Sequence, residues 1–348
     1  MNNKFTALKS NLSKKIWSEE KDKLAPYLIE ERGRYYGESE LLLKPRTTKE
    51  VSKILDICYK NNISVVPQGG RTGLSGGTNS DINEVIISLE KMNKILSIDK
   101  SNKRIITQAG CTLSEIKTKA FEQGLYFPLS LPSMENCTIG GNISTNAGGS
   151  SVLKYGMTRD LVLGVEVVLP NGNVLNCLRE IKKDNRSYDL KHIFIGSEGT
   201  LGIITSAVLK LFNAPQKTGM AITALSSLRK VIDFLNYTNS NYSEQLTTFE
   251  LNSNLGLDFI KKQFPEIPIP FENKFPWYVI FEVSYQNKIN LDYEIESFLS
   301  KAIEKKFIID AIKPQSIAQT NNIWKTREWL SLAQKKDSPS IKHDISLP

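Results

Sequence analysis

The stretch Val65–Thr78, which reads VVPQGGRTGLSGGT, decides the fold of this chain. A short apolar strand interrupted by proline is followed by glycines at positions 69, 70, 73, 76 and 77. A backbone with so few side chains can turn its N–H groups toward a diphosphate. Two more glycine-rich stretches, GGNISTNAGG at 140–149 and GSEGTLG at 196–202, have the same character. Three such segments in one chain predict a bound nucleotide cofactor.

The composition indicates a globular chain with a sizeable core. Of its 348 residues, 40% are hydrophobic and 24% are charged, and this length predicts two domains or one large one. No apolar run approaches the roughly 18 residues of a membrane span, and the N-terminal segment lacks the apolar core of a signal peptide. It has no Arg before Arg32 and carries Glu19 and Glu20, which argues against a mitochondrial transit peptide. We therefore expect a cytoplasmic protein, with peripheral attachment to a membrane as a variant of that location.

The net charge of +8 would in principle favour an anionic partner. The basic residues are nevertheless dispersed, with no block of five or six and no alternation with aromatic side chains. Dispersed charge is typical of a solvated surface rather than an interaction tail. We therefore expect no nucleic acid partner.

Cysteine and histidine are scarce. The four cysteines, at positions 58, 111, 137 and 177, form no Cys-x-x-Cys pair. They indicate small buried side chains in a reducing compartment rather than disulfides or a zinc site. The only histidines, His192 and His343, cannot form a paired-histidine metal motif. We therefore predict no metal site within this chain.

Apolar patterning divides the chain into three parts. Residues 1–30 form a polar, partly helical lead-in, and residues 31–215 form a strand-rich α+β domain. In residues 216–348 the pattern restarts as strand, helix, strand, strand, helix. That order predicts a smaller domain whose helices cover an antiparallel sheet. The stretch 213–216, Asn-Ala-Pro-Gln, is the predicted linker.

Local signals support this division. Residues 41–70 read as strand, helix, strand, with Thr47 or Thr48 as the N-cap of the helix. Residues 112–128 predict an amphipathic helix that ends at Gly124. Residues 161–175 predict a hairpin whose turn is Pro-Asn-Gly-Asn.

Two common nucleotide-binding motifs are absent. The P-loop pattern G-x-x-x-x-G-K-[ST] does not occur, and 69–77 reads GG-x-x-G-x-x-GG rather than G-x-G-x-x-G. No helix is predicted directly after this segment, so no helix N-terminus would receive the phosphates. Loop amides alone would then hold them.

Three long segments carry a family resemblance: PQGGRTGLSGGT at 67–78, the stretch from PSMENCTIGG to VVLPNG at 132–172, and DLKHIFIGSEGTLGIIT at 189–205. From about residue 40 onward, the chain resembles flavoproteins of the vanillyl-alcohol oxidase / p-cresol methylhydroxylase type. Within them it is most similar to D-2-hydroxyacid dehydrogenases, including D-lactate dehydrogenase, the flavin-binding chain of glycolate oxidase, and D-2-hydroxyglutarate dehydrogenase. The resemblance implies an α+β fold with a two-subdomain FAD-binding domain and an incomplete ferredoxin-like α+β cap domain.

The resemblance also assigns FAD-binding roles, first to the pyrophosphate loop, then to the loop against pyrophosphate and flavin, and last to the loop against the adenosine and ribityl parts. These positions are Pro67, Gly69, Gly70, Thr72, Gly73, Leu74, Ser75 and Gly76; Pro132, Thr138, Gly140, Gly141, Ser144, Asn146, Ala147 and Gly148; and Glu198, Gly199, Gly202, Ile203 and Ile204. Some relatives attach flavin covalently through His or Cys. Arg71 is the side chain that the first loop offers instead, so we predict non-covalent FAD.

The C-terminal region resembles the substrate-binding cap of these enzymes. In IWKTREWLS and IKHDISLP, Arg327 and Lys342 match the positions that bind a substrate carboxylate, and Ser331 matches an intervening hydroxyl position. A guanidinium and an ammonium suit a carboxylate. The resemblance therefore implies that the substrate is a small 2-hydroxy acid.

The resembling enzymes continue for roughly another hundred residues, which supply histidine metal ligands and the base that takes the hydroxyl proton. We expect a divalent metal in full-length relatives but not its ligands here, and no catalytic residue is identified in this chain. C-terminal truncation, a second polypeptide that completes the cap, and a fragment of a longer chain remain alternatives at this point.

The activity implied is FAD-dependent oxidation of a D-2-hydroxy acid to a 2-oxo acid by hydride transfer from C2 to flavin N5. The electron acceptor would be a quinone, a cytochrome or an electron-transfer flavoprotein. Three alternatives remain: an oxidase, an enolpyruvyl reductase of cell-wall synthesis that shares the FAD fold, and a vestigial FAD-binding scaffold. The cap sequence disfavours the reductase, and the missing base favours the scaffold.

Overall fold

A computed structural model describes residues 5–31, 33, 35–181, 183–287, 289–338 and 345–346. These residues form two compact units. The first contains the described residues up to 149 together with 155–214, and the second contains 150–154 together with the described residues from 215 onward. Within the described part, no helix is both long and apolar enough to cross a bilayer.

The helices and strands follow each other along the chain in this order: α1 Thr6–Asn11, β1 Trp17–Ser18, α2 Lys21–Leu24, β2 Leu42–Leu43, α3 Thr48–Lys60, β3 Ser64–Gln68, β4 Glu84–Ser88, β5 Ile95–Asp99, β6 Arg104–Gln108, α4 Leu113–Glu122, β7 Leu125–Tyr126, α5 Ile139–Ser144, α6 Val152–Tyr155, α7 Thr158–Leu161, β8 Val162–Val168, β9 Val174–Cys177, α8 Lys191–Phe194, β10 Ile203–Lys210, β11 Phe212–Asn213, β12 Lys217–Leu225, α9 Leu228–Tyr242, β13 Leu246–Ser253, α10 Asn254–Gln263, β14 Trp277–Tyr285, α11 Leu291–Glu304, β15 Asp310–Ile312, α12 Ile317–Glu328 and α13 Leu330–Asp337.

The first unit contains two main sheets, as the predicted two-subdomain architecture requires. One has the strand order β1-β2-β4-β3, with β2, β4 and β3 parallel. The other has the order β5-β6-β10-β8-β9 and is antiparallel throughout. A single apolar cluster runs beneath both sheets, with Val85 and Ile87 of β4 and Ala207 and Leu209 of β10 fully buried. The two sheets therefore share one core.

Several local predictions for this unit are confirmed. Thr47 is the N-cap of α3, and its side chain accepts a hydrogen bond from the amide of Glu50. Gly124, with φ +73°, follows the end of α4, and β8 and β9 form the predicted hairpin. Gly172 takes the left-handed conformation, φ +84°, that its turn requires.

One local prediction is wrong. The second glycine-rich segment was expected to be loop, yet Ile139–Ser144 forms the short helix α5. Gly140 packs against Ala109, where an added Cβ would lie 2.7 Å from the alanine Cβ. The glycines here permit close packing of a helix rather than an irregular loop. Local composition alone could not separate these two uses of glycine.

The second unit is built on the antiparallel sheet β13-β14-β12-β15. The chain order β12, α9, β13, β14, α11, β15 with this strand order is the split βαβ arrangement of a ferredoxin-like fold. Helices α9 and α11 cover one face, where Phe234 and Phe298 pack on Phe281. The other face packs against α10 and α12 through Leu257 and Ile323. The mixed α+β class and its cap domain are therefore confirmed.

The cysteines are free, as expected. Cys58, Cys111 and Cys137 are buried, whereas Cys177 is only half-buried, contrary to the prediction that all four are buried. Burial raises the pKa of Cys58 to about 12 and, for the largest part, that of Cys111 to about 11. These two thiols are therefore protonated and unreactive at neutral pH.

Candidate functional site

An open groove in the first unit brings the three glycine-rich segments together, although they are far apart in sequence. Among the residues predicted for FAD, the groove is lined by Pro67, Gly69, Gly73, Ser75, Thr138, Gly140, Gly141, Ser144, Glu198, Gly199, Gly202, Ile203 and Ile204. It is also lined by Gln68, Gly77, Thr78, Leu89 and Thr145, which sequence reasoning missed. A long, narrow ligand could therefore contact all three segments at once.

The first two segments touch backbone to backbone. A Cβ built on Gly70 would lie 2.8 Å from the carbonyl carbon of Asn136 and 2.8 Å from the Cα of Cys137. A Cβ built on Gly69 would overlap the hydroxyl of Thr138. Neither glycine has a positive φ. Both are thus required by this close approach rather than by backbone conformation.

Two buried polar atoms beside the groove have no hydrogen-bond partner among the described residues: Thr138 Oγ1 and Gln68 Oε1. The other amide atom of Gln68, Nε2, donates to the carbonyls of Tyr27 at 2.9 Å and Thr78 at 2.8 Å. Gln68 therefore closes the first glycine segment by tying its beginning to its end. An unmade hydrogen bond at a buried polar atom costs free energy, so these two atoms are suited to contact a ligand.

The third segment reaches both of the others. The amide of Glu198 donates to Ser144 O at 2.9 Å, and Glu198 holds a left-handed backbone, φ +52°. Its carboxylate oxygen Oε2 would lie 3.1 Å from a Cβ on Gly77. A Cβ on Gly199 would lie 2.5 Å from the ring of Pro67. The groove walls are therefore mutually dependent.

Arg159 holds the second and third segments together from behind. Its amide donates to Asn146 Oδ1 at 2.9 Å. Its guanidinium donates to the carbonyls of His192 at 2.9 Å and Ile195 at 2.5 Å, and lies 3.1 Å from His192 Nδ1. Burial, followed by the charge of Lys191, lowers the pKa of His192, which favours the neutral ring beside this arginine.

The lead-in supports the first segment from below. Arg71, whose φ is +59°, lies with its guanidinium carbon 4.3 Å from the ring centre of Tyr27. The Tyr27 hydroxyl donates to Glu90 Oε2 at 2.5 Å, and Lys44 pairs with Glu90 Oε1 at 3.0 Å. Burial alone would raise the pKa of Glu90, but the hydrogen bonds from Tyr27 and Lys44 outweigh it and lower that pKa.

The remaining residues predicted for FAD do not line this groove. Gly70 lines a neighbouring cavity that is also lined by Glu90, Glu115 and Glu135. Gly76, with φ +81°, packs on the ring of Tyr35. The others outside the groove lining are Thr72, Leu74, Pro132, Asn146, Ala147 and Gly148.

In the second unit, Arg327 lies near the end of α12 and is already paired. Its Nε donates to Glu250 Oε2 of β13 at 2.8 Å. Ser331 is exposed at the start of α13. Lys342 and His343 lie outside the described residues, so the predicted Arg–Lys pair is described only by its arginine. Sequence spacing could not reveal Glu250, which is 77 positions from Arg327.

Two family models match the chain. Residues 39–178 match the FAD binding domain, and residues 214–348 match the C-terminal domain of FAD linked oxidases. The chain belongs to this family of FAD-dependent flavoproteins. FAD is its cofactor, and the suspected resemblance is confirmed.

Solved structures of flavoproteins share the fold. An alkyldihydroxyacetonephosphate synthase superimposes with a TM-score of 0.73 at 20% identity, covering 92% of this chain and 64% of that one. A p-cresol methylhydroxylase superimposes with a TM-score of 0.71 at 16% identity, covering 92% and 68%. At this identity the likeness shows the fold of a flavoprotein and nothing of its substrate.

Curated relatives are more similar in sequence. A mitochondrial D-2-hydroxyglutarate dehydrogenase of Arabidopsis thaliana is 37% identical over 340 residues, which are 98% of this chain and 61% of the relative. Its counterpart in Danio rerio is 36% identical over 90% of this chain and 58% of the relative. A D-2-hydroxyglutarate–pyruvate transhydrogenase of Saccharomyces cerevisiae is 33% identical over 95% and 66%. The flavoprotein thus spans about three fifths of the length of the relatives first matched.

The relatives correct one prediction. We expected a cytoplasmic protein, peripheral to a membrane in one variant, from the lack of a signal peptide, of a mitochondrial transit peptide and of a membrane span. This expectation is wrong, because the plant and zebrafish relatives carry names that assign them to mitochondria. A prediction of location from missing targeting signals had no positive observation behind it.

FAD fits the groove of this flavoprotein. Gly69 and Gly199 let the groove walls pack closely, and Gly73 lines the groove where an added Cβ would meet no described atom within 4 Å. Thr138 Oγ1 and Gln68 Oε1 offer polar atoms without protein partners among the described residues. Within the same described part of the chain, no group of three or more His, Cys, Asp or Glu side chains could hold a metal ion.

Proposed function

We propose that this chain takes part in the FAD-dependent oxidation of a D-2-hydroxy acid to a 2-oxo acid, with hydride transfer from C2 of the substrate to flavin N5. The observation that carries the proposal is the combination of an FAD groove with a cap domain that presents Arg327, in a chain 37% identical to a D-2-hydroxyglutarate dehydrogenase. FAD supplies a two-electron acceptor when bound.

The groove residues hold and orient the cofactor in this proposal. Backbone amides of the three glycine segments face its phosphates, and the hydroxyl of Thr138 and the amide oxygen of Gln68 gain the partners that the described residues do not supply. We further propose that attachment is non-covalent, because the first segment carries Arg71, whose guanidinium lies over the ring of Tyr27. Release of all yellow flavin on acid precipitation supports this, and flavin that stays with the pellet contradicts it.

At the substrate end, Arg327 binds a carboxylate, and Lys342 and Ser331 assist it. A guanidinium offers paired N–H donors to a carboxylate and therefore fixes its orientation as well as its position. The proton of the substrate hydroxyl must also be removed, and we assign that role to no described residue. Substrates lacking the carboxylate should therefore fail even if the flavin is intact.

The direct test is anaerobic mixing of the purified, flavin-loaded chain with single enantiomers. D-2-hydroxyglutarate or D-lactate should bleach the flavin absorbance near 450 nm, and the L enantiomers are the matched controls. Bleaching by neither enantiomer, with flavin still bound, would refute the proposal for this chain. It would favour the alternative of a catalytically incomplete or vestigial flavoprotein, or of one half of a split dehydrogenase that requires a second polypeptide.

The electron acceptor is identified in the second half-reaction. A quinone, a cytochrome and an electron-transfer flavoprotein are the acceptors to compare, and the name of the yeast relative adds pyruvate. We propose that one of these reoxidises the bleached flavin faster than oxygen does. If oxygen is the fastest, the chain is an oxidase.

A further inference from the structure

The ion pair between Arg327 and Glu250 bears on the specificity of the proposed substrate site. Glu250 Oε2 accepts a hydrogen bond of 2.8 Å from Arg327 Nε. A guanidinium has five N–H donors in a rigid plane, and a bond to Nε uses only one of them. The terminal Nη groups make no hydrogen bond to any described residue. The guanidinium is therefore fixed in orientation rather than neutralised by a bidentate pair.

Glu250 lies on the sheet face that packs against α12. Its neighbour Phe249 packs in the opposite layer against Phe234 of α9. The ladder places Glu250 opposite Ile280, and Ile280 belongs to the same apolar cluster as Ile323 of α12. Arg327 follows Ile323 by one helical turn, so both side chains are on that helix face. The pair is thus a contact between sheet and helix.

A second polar side chain shares this face. Asn252 is two residues beyond Glu250 in a regular part of the ladder, opposite Tyr278. Residues two apart on a strand point to the same side, with their Cα atoms about 7 Å apart. Asn252 is only 5% exposed, and its Nδ2 has no hydrogen-bond partner in the part of the chain that the structure describes. A buried amide donor without a partner, on the same strand face as the residue that holds Arg327, indicates a place for an acceptor.

We propose that Glu250 is a positioning residue that holds Arg327 by Nε so that its Nη groups face a substrate carboxylate, and that Asn252 Nδ2 is a further donor to the same carboxylate. This inference rests on the proposed function, because it assumes that Arg327 binds the substrate acid. A carboxylate has about four lone-pair positions and can accept from the guanidinium and the amide together. Glu250, as an anion, can only act through Arg327.

The two roles of Glu250 can be separated with two variants. Glu250→Gln keeps an oxygen that accepts from Nε but removes the charge, whereas Glu250→Ala removes the acceptor as well. If Glu250 positions Arg327, the Ala variant should bind a carboxylate roughly tenfold more weakly, a loss of about 1.4 kcal/mol, and the Gln variant should bind at least as well as the unmodified chain. If Glu250 merely competes with the substrate, both variants should bind more tightly.

Asn252→Leu tests the second donor. An unpartnered buried amide destabilises the folded chain, and replacing it with an apolar side chain of similar size is neutral or stabilising. We expect an unchanged or higher melting temperature together with roughly tenfold weaker carboxylate binding. If Asn252 had only a structural role, the substitution would lower both the melting temperature and the affinity for the carboxylate. Asp292→Ala is the matched control for Glu250→Ala, because it too removes an ion-paired carboxylate of the second unit, the one that pairs with Lys313.

The measurement is calorimetric titration of the full chain with glutarate, a dicarboxylate that cannot be oxidised at C2, beside flavin bleaching by D-2-hydroxyglutarate. Binding of glutarate that weakens with Glu250→Ala and Asn252→Leu, but not with Asp292→Ala, supports the inference. Binding that none of these variants changes overturns it and leaves the proposed function intact. Bleaching without glutarate binding also overturns it. If the flavin is not bleached and glutarate does not bind, both this inference and the proposed function are refuted.

Discussion

Substitution of two glycines from the same segment should separate the fold of the first unit from its cofactor site. At Gly70 an added Cβ would meet the backbone of Asn136 and Cys137, with two atoms at 2.8 Å and the Asn136 carbonyl oxygen nearer still. At Gly73 an added Cβ would meet no atom of the described residues within 4 Å. Gly73 nevertheless lines the groove. Gly70→Ala therefore disturbs the protein, and Gly73→Ala disturbs only the space for the ligand.

The magnitude follows from the atoms that must move. Extra methyl groups in packed regions typically cost about 1–3 kcal/mol, and Gly70→Ala should be near the upper limit because backbone cannot rotate away as a side chain does. For a unit of this size each kcal/mol lowers the melting temperature by roughly 2–4 °C. We expect Gly70→Ala to lower it by roughly 6–12 °C. Gly73→Ala should leave it unchanged or raise it slightly, since alanine restricts the unfolded chain.

The assay measures both quantities on each variant. Melting of the flavin-free protein reports the fold, and titration with FAD, followed by flavin fluorescence, reports the cofactor site. Gly73→Ala should weaken FAD binding without any loss of melting temperature. Equal melting temperatures for the two variants would refute the packing argument at Gly70. Unchanged FAD affinity in Gly73→Ala would refute the assignment of this groove to FAD.

Three other changes test single contacts. Thr138→Val removes a hydroxyl that has no partner in the described part of the chain, so flavin-free melting should hold or rise while FAD binding weakens about tenfold; equal affinity would count against this contact. Arg159→Met removes the guanidinium bonds to His192 and Ile195, and should weaken FAD binding and expose the third segment to proteolysis, with Arg159→Lys intermediate. The pKa of Glu90 is lowered in the fold, so its contribution to stability is present above its usual value of 4.5 and is lost as the pH falls through the lower folded value. Glu90→Gln should therefore flatten melting temperature against pH in that acidic range, and an unaltered slope would contradict the ion-pair argument.

Sequence patterns predicted those parts of the fold that depend on neighbouring residues. The N-cap at Thr47 and the hairpin turn at Gly172 are set by a few adjacent side chains, and periodicity located α9 and α11. The glycine-rich segments predicted a cofactor, because the scarcity of side chains is itself the property that a close-fitting ligand requires.

Contacts between distant positions could not be predicted in this way. Gln68 precedes the glycines without any local mark of its bonds to Tyr27 and Thr78. The partner of Arg327 is on a strand far earlier in the chain. Helix α5 was missed because glycines disfavour helices by about 1 kcal/mol each, whereas tight packing of Gly140 on Ala109 favours one here.

The groove belongs to the folded unit rather than to any one motif. Its walls come from the segments around Gly69, Thr138 and Gly199, and each wall depends on contacts with another: Gly70 with Asn136, and Gly199 with Pro67. An unfolded chain cannot assemble these walls, so FAD binds the folded state alone and stabilises it by RT ln(1 + [FAD]/Kd). At a concentration one hundred times Kd this amounts to about 2.7 kcal/mol. Cofactor affinity and fold stability of the first unit should therefore change together for every substitution that moves a wall, and separately only for those, such as Gly73→Ala and Thr138→Val, that alter the space between walls.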